Sequence, residues 1–190
     1  MKHGLAFPGL GVLVIAAGLS GCATMTPEQC MTADWYQIGE MDGRQGQGLN
    51  HFADRASVCR EAGYPADQRA WQSGWDQGII YFCTEDSGFR HGLEGHSYGR
   101  VCPGPLEGDF MAGYDVGRNI HQIESSLRSA ERDYDRIGGR YDRLVLDPEA
   151  DQQELRRLQR EMDRLERRIR QLELELASAR GVAQGRGFRL

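Results

Sequence analysis

Trp71-Gln72-Ser73-Gly74-Trp75-Asp76-Gln77-Gly78 is the stretch that decides the fold. On a helix, Trp71, Gly74 and Gly78 share one face, because residues three, four and seven apart are stacked neighbours. A glycine inside a helix costs about 1 kcal/mol relative to alanine. Two of them at this spacing imply that the bare backbone itself is used. The same pattern, aromatic-x-x-Gly-x-x-x-Gly, occurs at Tyr36, Gly39 and Gly43 and again at Phe110, Gly113 and Gly117, with an Asp between the glycines of every copy: Asp42, Asp76 and Asp115. Repetition at such intervals marks repeated supersecondary units. The pattern predicts three short helices in close approach, an aromatic of one lying over the backbone of another. GxxxG pairing is best known in membranes, but these segments carry Asp, Arg and Gln and do not read as spans. The three Asp side chains are expected to be solvated or paired with Arg44, Arg118 or backbone donors.

Downstream the pattern changes. Ile120, Ile123, Leu127, Ala130, Tyr134, Ile137, Tyr141 and Leu144 alternate three- and four-residue steps, and so do Leu155, Leu158, Met162, Leu165, Ile169, Leu172, Leu176 and Ala179. These are heptad a/d positions. The two arms mirror each other, so folding back at Pro148 sets Leu144 against Leu155, Ile137 against Met162 and Ile120 against Ala179. That mirror is what an antiparallel hairpin needs. Asp147 before Pro148 and Glu149 predicts the cap of the second arm. Pro105 can open a helix, and no breaker follows before Gly138-Gly139, so residues 105–145 read as one helix. Gly138-Gly139 is expected to soften the rod. Residues 182–190, with Gly185 and Gly187, read as a flexible tail.

Upstream and between the repeats the chain is irregular. Gly63-Tyr64-Pro65-Ala66-Asp67 is a loop leading into a helix start. Residues 86–99, with Gly88, Gly92, Gly95 and Gly99, read as a glycine-punctuated loop. It lacks the Gly-Lys-Ser/Thr of a phosphate-binding loop.

Cysteine usage sets the compartment. Met1-Lys2-His3 and the apolar run from Leu5 read as a signal peptide over residues 1–21. It ends in Leu19-Ser20-Gly21-Cys22, a lipobox, so Cys22 is expected to carry lipid and residues 22–29 to serve as anchor and linker. Ala23, rather than Asp, after the lipidated Cys favours the outer membrane, on its periplasmic face. Cys30, Cys59, Cys83 and Cys102 remain, an even set in an exported chain, which predicts two disulfides. Three connectivities are possible, and the short loops favour Cys30–Cys59 with Cys83–Cys102. A metal site drawing on these Cys with His91 and His96 is disfavoured, because no C-x-x-C pair exists. The 190-residue chain has a net charge of −5. Residues 22–117 hold 14 acids against 6 Arg, a balance of −8, and residues 118–190 hold 14 acids against 16 Arg, a balance of +2. An acidic head argues against a nucleic-acid partner.

The expected fold class is therefore all-α. A small disulfide-clipped helical head with Gly-rich loops, residues 30–117, is extended by an antiparallel coiled-coil hairpin, residues 118–181. The lipobox, Cys30 before Asp34-Trp35-Tyr36-Gln37-Ile38-Gly39, Cys59, Tyr81-Phe82-Cys83, Tyr98-Gly99-Arg100-Val101-Cys102-Pro103 and the Phe110/Gly113/Gly117 segment together resemble a bacterial lipoprotein family, domain of unknown function 2799. The resemblance spans roughly residues 22–145. It implies envelope location and this architecture, and it brings no catalytic residues and no cofactor. The expected role is structural or protein-binding, through the hairpin, with an envelope protein or the cell wall as partner and no enzymatic activity. The alternative is a head that binds a small ligand or a peptidoglycan fragment, using Trp35, Tyr36, Trp71, Trp75, Tyr81, Tyr98 and Tyr114. Those rings should then line an open cavity and not the core.

Overall fold

The computed structural model describes residues 25–190, so the signal peptide and Cys22 lie outside the described residues. The described residues form helices α1 (Pro27–Met31), α2 (Trp35–Arg44), α3 (His51–Glu61), α4 (Gln68–Phe82), α5 (Glu85–Leu93), α6 (Gly104–Val145) and α7 (Gln152–Gly185), and no strand among them. Side chains cap most starts. Thr26 and Gln29 form a reciprocal capping box on α1, Asp34 caps α2, Asp67 caps α4 and Thr84 caps α5. Each satisfies amide donors that the first turn leaves without a partner.

The glycine faces pair the helices in twos, α2 with α4 and α5 with α6. A Cβ placed on Gly39 would overlap the carbonyl of Trp71, on Gly43 that of Trp75, on Gly74 that of Tyr36 and on Gly78 that of Glu40. In the second pair Gly88 lies against the Phe110 carbonyl, Gly92 against Tyr114, Gly113 against Glu85 and Gly117 against Phe89. Every glycine thus faces the carbonyl three residues before its matching glycine on the partner helix. Residue numbers rise together on both helices, so each pair is parallel. The backbones approach so closely that glycine Cα–H groups point at carbonyl oxygens, a weak but recurrent helix–helix contact.

Helix α5 is the fourth copy of the motif and falls in the stretch expected to be a loop. It was hidden because Glu85 stands where the other copies have an aromatic; its ring, Phe89, comes one residue after the first glycine, as Trp75 and Tyr114 do.

The head is a tandem duplication of one two-helix unit. Numbers in α2 and α5 differ by 49, as in Gly39 and Gly88, and those in α4 and α6 by 39, as in Gly74 and Gly113. Equivalent contacts recur at those offsets. Trp75 Nε1 donates to the Gln47 carbonyl at 2.7 Å, and Tyr114 Oη donates to the equivalent His96 carbonyl at 2.9 Å. The first helix of each unit ends at a left-handed glycine, Gly46 (φ 67°) and Gly95 (φ 79°). Each lies against a ring on the unit's second helix, Phe82 or the equivalent His121. Each disulfide ties the segment before the unit's first helix to the crossover before its second: Cys30–Cys59 with Cα atoms 5.3 Å apart, and Cys83–Cys102 at 5.6 Å. Such a bridge contributes about 2–4 kcal/mol. The units meet through Phe82, which stacks on Phe110 at 5.1 Å between centroids.

Helix α6 continues unbroken from the second unit into the rod, and α7 returns antiparallel beside it. All the seam residues anticipated from the heptads are buried or half-buried. Arg140 pairs with Glu154 at 2.6 Å near the tip and Arg180 with Glu124 at 2.8 Å near the base. The seam runs one step further than expected, to Ala183, fully buried in a cluster with Val116.

Two local expectations are corrected. Asp151, not Asp147, caps α7, which starts at Gln152. Asp147 instead accepts from the Glu149 amide at 3.0 Å within the turn. Gly138 and Gly139 lie inside α6, which runs unbroken as the single helix expected over residues 105–145. Residues 182–190 are not a free tail. Helix α7 runs to Gly185, and Gly187 (φ 89°) turns the chain so that the Phe188 amide donates back to Ala183, a Schellman cap. Phe188 is buried and stacks on Phe89 at 4.2 Å, while Arg186 pairs with Glu85 and donates to the Ala112 carbonyl at 3.4 Å.

The nearest atom to a Cβ on Gly139 is a flexible Arg143 nitrogen at 3.7 Å. Gly139→Ala is therefore expected to raise stability by about 1 kcal/mol, read as a higher urea midpoint.

Candidate functional site

The polar centre of the head is Asp42, which is fully buried. Helix α2 aims it toward α3 and α4, between the glycines that hold α2 against α4. Arg55 of α3 donates to it from Nε at 3.0 Å and from Nη2 at 2.7 Å, a two-pronged pairing. Trp71 of α4 donates from Nε1 at 2.9 Å, and His51 Nε2 lies 3.8 Å away. Asp42 therefore joins three helices. Its expected partners were Arg44, Arg118 or backbone; Arg44 instead pairs with Glu40 at 2.8 Å on the surface. The other two repeat Asp residues are exposed, Asp76 accepting from Gln72 at 2.9 Å. With both oxygens occupied and no solvent exposure, Asp42 is built to hold helices together. Among the described residues, every buried side-chain nitrogen and oxygen has a hydrogen-bond partner.

The equivalent position in the second unit is His91. Its ring packs among Phe82, Phe110, Tyr114 and His96, with Nε2 3.2 Å from the Ser97 carbonyl. His96 is an exposed neighbour of Glu94 at 3.2 Å. Tyr98 closes this end by accepting from the Cys102 amide at 3.1 Å, and its burial pushes the phenol pKa up. Among the described residues, no three His, Cys, Asp or Glu side chains gather as a metal would require.

The seven aromatics proposed for ligand binding do not form one platform. Trp35, Trp71, Trp75 and Tyr114 are core residues. Tyr36 and Tyr81 are exposed, Tyr81 lying under the Arg44 guanidinium at 4.0 Å. Tyr98 and Tyr114 border a shallow hollow with Arg100, Glu107 and Arg118. Most of these rings hold the helices, which removes the reason for a ligand-binding head. Of the rings that stand three residues before a glycine, Trp71, Trp75 and Tyr114 pack in the core, whereas Tyr36 is exposed.

A family model described as "Protein of unknown function (DUF2799)" matches residues 34–119. No curated protein and no solved structure matches the chain. The matched span opens at the cap of α2 and closes just after Gly117, so it contains both parallel helix pairs and stops where the rod begins. Residues 34–119 form a domain of the DUF2799 family.

Proposed function

We propose that the protein is a lipoprotein held by lipid on Cys22 at the periplasmic face of the outer membrane, and that its rod binds a partner in the envelope. The lipobox Leu19-Ser20-Gly21-Cys22 supports the anchor and Ala23 supports the outer membrane. Among the described residues no helix is long and apolar enough to cross a membrane. The observation that carries the binding role is the unbroken α6, which belongs to the second helix pair at one end and to the rod at the other. From Gly117 to Val145 it reaches roughly 40 Å at 1.5 Å per residue. The Phe188 latch fixes the base of α7 to the same unit, so the rod's direction is set by the head. Its tip exposes Val145 and Leu146.

The test is crosslinking on whole envelopes, with photo-inducible or acid-reactive reagents because no Lys follows Lys2. The full chain is compared with a variant lacking residues 134–165, rejoined by a short Gly-rich turn. That deletion keeps the base of the seam and the latch. Partners captured by the full chain are expected to disappear with the shortened rod; an unchanged set would contradict a binding role for it.

A further inference from the structure

The duplication allows a comparison of equivalent surface positions within one chain. In the first unit Tyr36, Met41 and Ile80 are exposed, Met41 more than half. Their equivalents in the second unit are Glu85, Arg90 and Asn119, all exposed. Met31 and Leu49 are exposed as well in the first unit, whereas no large apolar side chain is exposed between Glu85 and Gly117. The same backbone is thus greasy in one unit and polar in the other. A groove on the first unit is lined by Met25, Ala33, Ile38 and Met41 together with polar Gln29, Thr32 and Gln37.

Met25 fixes where this groove lies relative to Cys22. It is buried, with its sulfur 3.9 Å from Cys59 Sγ, and α1 starts two residues later. The expected eight-residue anchor and linker is therefore mostly folded. Only three peptide steps separate Cys22 from Met25, a reach of at most about 10 Å.

We propose that the first helix pair seats on the bilayer, with the Met25–Ile38–Met41 groove and Met31 in the lipid interface; this rests on lipidation of Cys22. Unbranched thioether side chains adapt to a fluid apolar surface, and buried apolar area is what holds an interfacial segment. The second unit and the rod then project away from the membrane.

The test places a tryptophan at each of two equivalent exposed positions, Met41→Trp and Arg90→Trp, in the full lipidated chain. The proteins are reconstituted into phosphatidylcholine vesicles with and without acyl-brominated phosphatidylcholine, floated, and their fluorescence compared with the parent chain. Met41→Trp is expected to lose its added emission to the bromines and Arg90→Trp to keep it. If the protein floats and the two respond alike, the seat is wrong while the anchor stands. If it carries no lipid and does not float, the anchor fails and the seat with it. Both positions are exposed, so neither substitution disturbs the core.

Discussion

Replacing Gly74 with alanine is expected to lower stability by about 1–3 kcal/mol net, with a matching fall in the urea midpoint. The new methyl would meet the carbonyl of Tyr36 and the amide of Glu40. Both are backbone, so no side-chain rotation relieves the clash, and α2 must move off α4. Overpacking of a rigid site costs about 1–3 kcal/mol and occasionally more. Here it also separates Trp71 from Asp42 and loosens the Trp35–Phe52–Trp71 ring contacts. The gain in helix propensity returns about 1 kcal/mol, which the lost Trp71–Asp42 hydrogen bond offsets, so the overpacking cost remains as the net loss. The same substitution at Gly139 has the opposite sign, so the pair of variants separates close approach from propensity. Equal, small effects at both positions would show that the helices are not in backbone contact.

Arg55→Ala is expected to cost about 3–5 kcal/mol, because it leaves a buried carboxylate with one neutral donor. Arg55 supplies two of the three hydrogen bonds to Asp42 and is itself largely covered. Lysine at the same place restores charge without the fork and should recover only part of the loss. Guanidinium unfolding of the three proteins reads this directly. If Arg55→Ala matches the parent, Asp42 does not hold the three helices in the way described.

Much of this fold is written in local pattern. The heptads from Ile120 to Ala179 place each a and d residue in one seam, and the mirrored spacing fixes the antiparallel return. The glycine faces of α2, α4 and α6 are equally plain. The pattern does not say which glycine face meets which, because all four present the same bare surface. The duplication is masked in the sequence because Glu85 stands at the aromatic position of α5. Asp42 is legible as a repeat residue, but its partner Arg55 sits on α3, whose apolar residues have no clear period. The latch was hidden because Gly181, Gly185 and Gly187 read as flexibility. Gly181 and Gly185 are solvent-facing helix positions, and only Gly187 makes a turn.

The head consists of two parallel helix pairs in glycine register, α2 with α4 and α5 with α6. Nuclear Overhauser contacts from glycine α-protons to amide protons test it most directly. The register predicts contacts from Gly74 to Glu40, Gly78 to Arg44, Gly113 to Phe89 and Gly117 to Leu93, since the α-proton replacing each Cβ points at those amides. Observing all four, rising together along both helices, is the expected result. Contacts that descend along one helix as they rise along the other, or that join α4 to α6, would contradict it.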